Sequence, residues 1–293
     1  MKRCLAFFII LLLIVSITSC KQKEKNSDMN IIFLHHSTGE VIWKGFNTKP
    51  SVFTRILRKI SPSSKNIIGK KAKLPFLFEN YNQEYHKNYL IKEIEFPKAS
   101  PYGWSNYPYD YYNIWVKNSG DSPFKEEPTL EILTKQYQVI IFKHCFPVMN
   151  IKADQESADI DSDYKSLANY KLQYESIKNK LHKFPNTKFI LFTGAALVKA
   201  SGVSEDAALR AKEFFKWVID EWDLPDDNIF IWDLYSLQTE GGLYFKNEYS
   251  VSITDSHPNT EFAEMTVQLL FNRIIDVIEN NGTRTKLTGE KLH

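Results

Sequence analysis

The chain has 293 residues, 43% of them hydrophobic and 14% aromatic, with 37 Lys and Arg against 35 Asp and Glu for a formal net charge of +2. That composition belongs to a packed globule rather than a disordered or strongly charged chain, and the lysines are scattered with no basic stripe between aromatics, so nothing argues for a nucleic-acid partner and none is expected. Its three cysteines, at positions 4, 20 and 145, are too few for a disulfide framework.

The N-terminus reads Met-Lys-Arg, then an apolar run from Leu5 to Ile17, then Thr18-Ser19-Cys20. This is the charged, apolar and small-residue order of an export signal, and the run is short for a membrane span. Ile17-Thr18-Ser19-Cys20 resembles the lipobox of bacterial lipoproteins. The resemblance implies that residues 1–19 are removed and Cys20 is acylated. The protein would then be held by lipid to a membrane of the cell envelope, on the extracytoplasmic side; a plain signal peptide or an uncleaved anchor is the alternative. Residues 20–29 have the polar, charged composition of a tether. Cys4 leaves with the signal, so Cys145 stands alone.

From about residue 30 to 280, apolar runs alternate with helical patterns, which predicts a single α/β domain on a mostly parallel sheet. Asn30 to Leu34 reads as a buried strand that ends at His35-His36-Ser37-Thr38-Gly39. Phe46 to Asn88 is of mixed pattern, with a helix expected from Ser51 to Ile60. Tyr89 to Phe96 alternates weakly as a second strand. Ser100 to Asp121, rich in Tyr, Trp, Asn and Pro with no period, reads as a long ordered loop, and such loops are often functional. If exposed it would suit stacking on sugar rings; otherwise it packs over the sheet edge. Gln138 to Phe142, Lys188 to Phe192 and Asn228 to Trp232 are three further strands. Helical faces run from Leu167 to Phe184, from Ala211 to Trp222, and after Pro258-Asn259 through Ala263, Val267, Leu270, Ile274 and Val277; they are assigned to packing. The tail at 281–293 is polar and is expected to be loose.

Sites on open parallel sheets form at the carboxyl ends of strands. There the sequence offers His35, His36 and Ser37, then His144, Cys145 and Asn150, and, before the last helix, Asp255-Ser256-His257. A serine hydroxyl becomes nucleophilic when an imidazole takes its proton, and the imidazole needs a carboxylate or carbonyl to hold its tautomer. Ser37, His257 and Asp255 supply these parts. Donors for a developing oxyanion would be the Ser37 N–H, the Gly103 N–H and the Asn150 amide. Each has a plainer reading: Ser37 and Asp255 as helix caps, His257 as a surface residue, and Cys145 as a small buried hydrophobe. Two adjacent histidines on a strand end point to opposite faces, which disfavours a metal centre at His35 and His36. No Gly-x-Ser-x-Gly, Gly-x-Gly-x-x-Gly or Walker pattern occurs.

The chain order, with Ser37 after the first strand, Asn150 beyond the third and Asp255-x-His257 followed by Pro-Asn before the last helix, resembles the SGNH (GDSL-like) hydrolase superfamily. The resemblance implies a three-layer α/β/α flavodoxin-like domain. It also implies a Ser/His/Asp esterase or acyltransferase without cofactor or metal, often acting on O-acetylated carbohydrate. Gly103, Asn150 and His36 are carried over as oxyanion or substrate-binding residues. The sequence departs from the family's usual Gly-Asp-Ser, with His35-His36-Ser37 in its place. The acid lies two residues before the histidine, as in the alginate acetyltransferase-like branch, rather than three. Hydrolysis, acyl transfer and non-catalytic glycan binding stay open at this point.

Overall fold

The computed structural model describes residues 28–46, 71–103 and 105–292. The export signal, Cys20, most of the tether and the helix expected from Ser51 to Ile60 lie outside the described residues.

Five parallel strands, β1 (Met29–His35), β2 (Tyr89–Glu95), β3 (Val139–Lys143), β4 (Lys188–Phe192) and β5 (Ile229–Trp232), form one sheet in the order β2-β1-β3-β4-β5. This is the flavodoxin-like order of doubly wound sheets. Every residue of β3 is buried, because a central parallel strand is covered on both faces and so selects an unbroken apolar run. The edge strand β2 alternates buried and exposed positions imperfectly, which is why its pattern is weak in the sequence. β1 starts two residues before Ile31, since Met29 pairs with Tyr89 and the Asp28 N–H donates to the Asn88 carbonyl at 2.9 Å.

Helices cover both faces. On one face, α1 (Ser37–Lys44), α2 (Lys73–Tyr85) and the long C-terminal α8 (Thr260–Asn280) pack on each other. On the other, α3 (Pro108–Tyr112) and α6 (Glu205–Trp217) pack against α5 (Leu167–Leu181). Strand alternation divides the aromatic core between them: Phe33 meets Trp43 and Phe192 on the first face, while Phe142 meets Tyr111 and Trp115 on the second. Ser166, Ser204 and Asn259 cap α5, α6 and α8 by accepting the N–H of Asn169, Ala207 and Phe262. Such caps stabilise a helix by about 1 kcal/mol each. The last helix is thus capped by Asn259, and Asp255 has another task.

The two short helical pieces α4 (Leu130–Leu133) and α7 (Leu234–Thr239) and a two-stranded antiparallel hairpin, β6 (Ser250–Ser252) and β7 (Asp255–Pro258), complete the fold. Among the described residues no helix is long and apolar enough to cross a membrane.

Two sequence expectations change. The aromatic stretch, expected as a long ordered loop, is helical over its middle: Pro108–Lys117 forms α3 and a wider helical turn at Asn113–Lys117, with Tyr107, Tyr111, Tyr112, Ile114 and Trp115 buried, the packed rather than the exposed alternative for these rings. The absence of a simple period reflects that change of helical pitch. The polar tail is docked rather than loose. Leu287 accepts the Asp233 N–H at 2.9 Å, Thr288 accepts the Trp232 indole N–H at 2.9 Å, and the Thr285 hydroxyl and N–H both donate to Asp276. Its hold is by hydrogen bonds to buried partners, which a hydropathy pattern does not register.

Candidate active site

The strand order reverses between β1 and β3, and the crevice at their carboxyl ends is where such sheets place ligands. The chain leaves β1 through His36, extended at φ −128° and ψ −174°, and enters α1 at once with Ser37 as its first residue. The turn is tight. The His36 carbonyl accepts the N–H of Gly39 at 2.7 Å and of Glu40 at 3.2 Å. Gly39 has no room for a side chain, since a Cβ there would lie 2.4 Å from His35 Cβ. This contact lets α1 sit directly on its own strand and holds Ser37, half-buried, at the helix N-terminus, where the first N–H groups lack intrahelical acceptors.

Cys145 follows β3 and is buried, with its Sγ 3.8 Å from the Ser37 hydroxyl. Its neighbour Phe146 meets the His257 ring edge-on, at 5.1 Å between centroids and 82° between planes. Ser37 and His257 therefore each lie against one of two adjacent residues, Cys145 and Phe146, and α1 packs against β7.

Alternation along β7 puts Asp255 and His257 on one side of the strand. Asp255 Oδ1 lies 2.6 Å from His257 Nδ1 and also accepts the His257 backbone N–H at 3.1 Å. A carboxylate accepts only, so the ring presents an N–H at Nδ1, which leaves Nε2 with the lone pair. The pair is half-buried, with side chains 21% and 29% exposed.

His36 is enclosed. Its Nε2–H donates to the Pro97 carbonyl at 2.6 Å, and Nδ1 faces Glu95 at 3.2 Å. Burial, reinforced by the charge of Lys143, pulls its pKa down to about 4. It lines, with His35, Ser37, Glu40, Glu93, Ile94 and Glu95, a cleft of about 500 Å³. His35, which lines the same cleft, pairs with Glu93 at 2.8 Å.

Gly103, at φ +88°, and Asn150, after the turn Phe146–Met149, are both exposed. Among the described hydrogen bonds none ties either to Ser37. The buried Asn106, which the sequence did not single out, joins the ends of β2 and β3. Its side-chain amide donates to the Phe96 carbonyl at 2.6 Å and its backbone carbonyl accepts the Cys145 N–H at 2.9 Å. Its φ of +54° suits Asn better than most residues, the one signal that could have marked it. Lys143 and His144 are also fully buried, and burial pushes both pKa values down. The His144 Nε2 meets the Tyr174 hydroxyl at 2.5 Å, and the Tyr111 hydroxyl donates to the Lys143 carbonyl at 2.7 Å. Among the described residues no three His, Cys, Asp or Glu side chains are grouped to hold a metal ion.

No family model and no curated protein matches the sequence. Among solved structures, the chain is similar to an acetyl xylan esterase, AlAXEase, at 14% identity and a TM-score of 0.41, covering 82% of this chain and 96% of that one. It is also similar to a carbohydrate esterase described as having an active site with divergent catalytic and non-catalytic binding functions. There the identity is 14% and the TM-score 0.38, over 85% of this chain and 65% of that one.

Proposed function

We propose that the chain is a serine esterase of the SGNH type that removes O-acetyl or similar acyl groups from carbohydrate. The observation that carries the reading is the 2.6 Å contact between Asp255 and His257 on a hairpin packed against the helix that begins with Ser37. Ser37 Oγ attacks the acyl carbonyl while His257 Nε2 takes its proton. Asp255 holds the tautomer and stabilises the imidazolium. The oxyanion forms beside the N-terminal N–H groups of α1. The imidazolium then protonates the departing sugar oxygen, and His257 activates the water that releases the acyl group from Ser37.

The carbohydrate substrate comes from the SGNH resemblance. Of the aromatic stretch that would support a purely glycan-binding protein, Tyr107, Tyr111, Tyr112 and Trp115 are packed in the core, which leaves fewer rings to stack on a sugar. Attachment through an acylated Cys20 in the cell envelope belongs to the same proposal and rests on the lipobox-like sequence alone; palmitate labelling abolished by Cys20→Ala would support it.

The test is turnover of p-nitrophenyl acetate and acetylated xylan by the purified protein beside Ser37→Ala. Loss of about three orders of magnitude or more is expected. Equal turnover by the variant removes Ser37 as nucleophile. Acyl transfer to an added sugar in place of acetate release would make the same site that of a transferase.

A further inference from the structure

The hairpin that carries Asp255 and His257 lies outside the main sheet. Its ladder is brief, pairing Ser250 with Pro258 and Ser252 with Asp255 across an irregularity. A two-stranded hairpin of this size is marginal alone, so something must set where it stands.

Between the two active-site candidates, Ser256 points to the opposite side of β7 and is 4% exposed. Its hydroxyl oxygen accepts the backbone N–H of Val198 at 3.0 Å. Val198 belongs to the segment that crosses the carboxyl end of the sheet after β4, and that segment is itself pinned. Gln238 Oε1 accepts the Ala196 N–H at 2.8 Å, and the Leu197 carbonyl accepts the Phe245 N–H at 2.9 Å. Alternation means that a side chain locked on one side of a strand fixes the direction of its two neighbours on the other.

We infer that Ser256 is a positioning residue that latches the Asp255–His257 pair to the sheet through Val198 and so sets the imidazole over Ser37. The inference rests on the proposed roles of Ser37, Asp255 and His257. Without the hydroxyl, the Val198 N–H is left buried without this acceptor and the hairpin can shift, and misplacing a proton acceptor by about 1 Å can cost about a hundredfold in rate. Substrate binding, which the latch does not touch, is unaffected.

The bond can be broken from either end. Ser256→Ala removes the acceptor. Val198→Pro removes the donor, and Val198 has φ −67°, the angle at which proline is fixed. Steady-state hydrolysis of p-nitrophenyl acetate is measured for the wild type, both variants and the double variant, each shown folded by circular dichroism. Each single variant should lose about tenfold to a hundredfold in kcat with KM changed less than about twofold, and the double variant should lose no more than the worse single. The acid limb of the kcat profile should move to lower pH in both, since a loosened carboxylate stabilises the imidazolium less. If Ser256→Ala does not fold, Val198→Pro is judged by the same kcat, KM and pH criteria. Unchanged kcat in a folded variant overturns the inference, as does a double variant whose losses multiply. Full activity in Ser37→Ala would instead overturn the proposed function.

Discussion

His257 Nδ1 lies 2.6 Å from Oδ1 of Asp255, and the same oxygen accepts the His257 backbone N–H. One carboxylate oxygen thus fixes both the ring and the strand that carries it, a geometry available because only one residue separates the two. A spacing of three would place acid and base on opposite sides of an extended strand.

Replacing that carboxylate by an amide should therefore cost activity and little stability. Asp255→Asn is expected to lower kcat by about two to four orders of magnitude, because the amide can donate to Nδ1 and stabilise the wrong tautomer. A loss below about tenfold would show that the imidazole is oriented by another group. Esterase kinetics beside a thermal melt distinguish the cases.

Gly39 is the position at which α1 touches its strand. Gly39→Ala places a methyl 2.4 Å from His35 Cβ, a contact relieved only by lifting the helix. Overpacking of this kind costs about 1–3 kcal/mol, and the lift displaces Ser37. Urea unfolding should show the loss and esterase assays a larger fall than stability accounts for. A fully stable and active Gly39→Ala would refute the close approach.

The opposite end of the sheet should titrate. Asp223 has a carboxyl oxygen buried without a partner among the described residues. Burial and the neighbouring Asp227 push its pKa up to about 7, with Arg273 opposing. Between about pH 4 and 7 the folded chain keeps a proton that the unfolded chain has released, so this group's contribution falls as pH rises through that window. Asp223→Asn should raise Tm by a few degrees at about pH 8 and by much less at about pH 5. An equal change at both pH values would mean that the effect is not titration.

Ending the chain at Asn281 should be costly. The deletion removes the Asp233, Trp232 and Asp276 contacts of the tail, each hydrogen bond worth about 1 kcal/mol. A drop of roughly 3 kcal/mol or more in unfolding free energy is expected, and a chain of wild-type stability would show the tail to be dispensable.

The strands were legible where sequence and burial coincide. Lys188 to Phe192 is the observed β4 to the residue, because a central strand can satisfy its packing only with an apolar run. The position of Ser37 directly after β1 and the contact of Asp255 with His257 were also legible as placements, since strand and helix ends are set by the fold class; their chemical roles stand as proposed. Asn106 and Ser256 were not. Asn106 bonds to backbone groups of Phe96 and Cys145, and Ser256 to the backbone of Val198, and a linear pattern has no term for such partners. The aromatic stretch left two readings open for a related reason: rings look alike in sequence whether they face a ligand or, like Trp115 between Phe96 and Phe142, one another.

Lys143 ends β3 with no exposed surface, and among the described residues its ammonium nitrogen has no hydrogen-bond partner. An amine so enclosed is out of reach of acylating reagents while the native packing holds. The rate at which a small anhydride tags Lys143, followed by peptide mass spectrometry, thus reports how often the carboxyl end of the sheet breathes open, whatever chemistry that end performs.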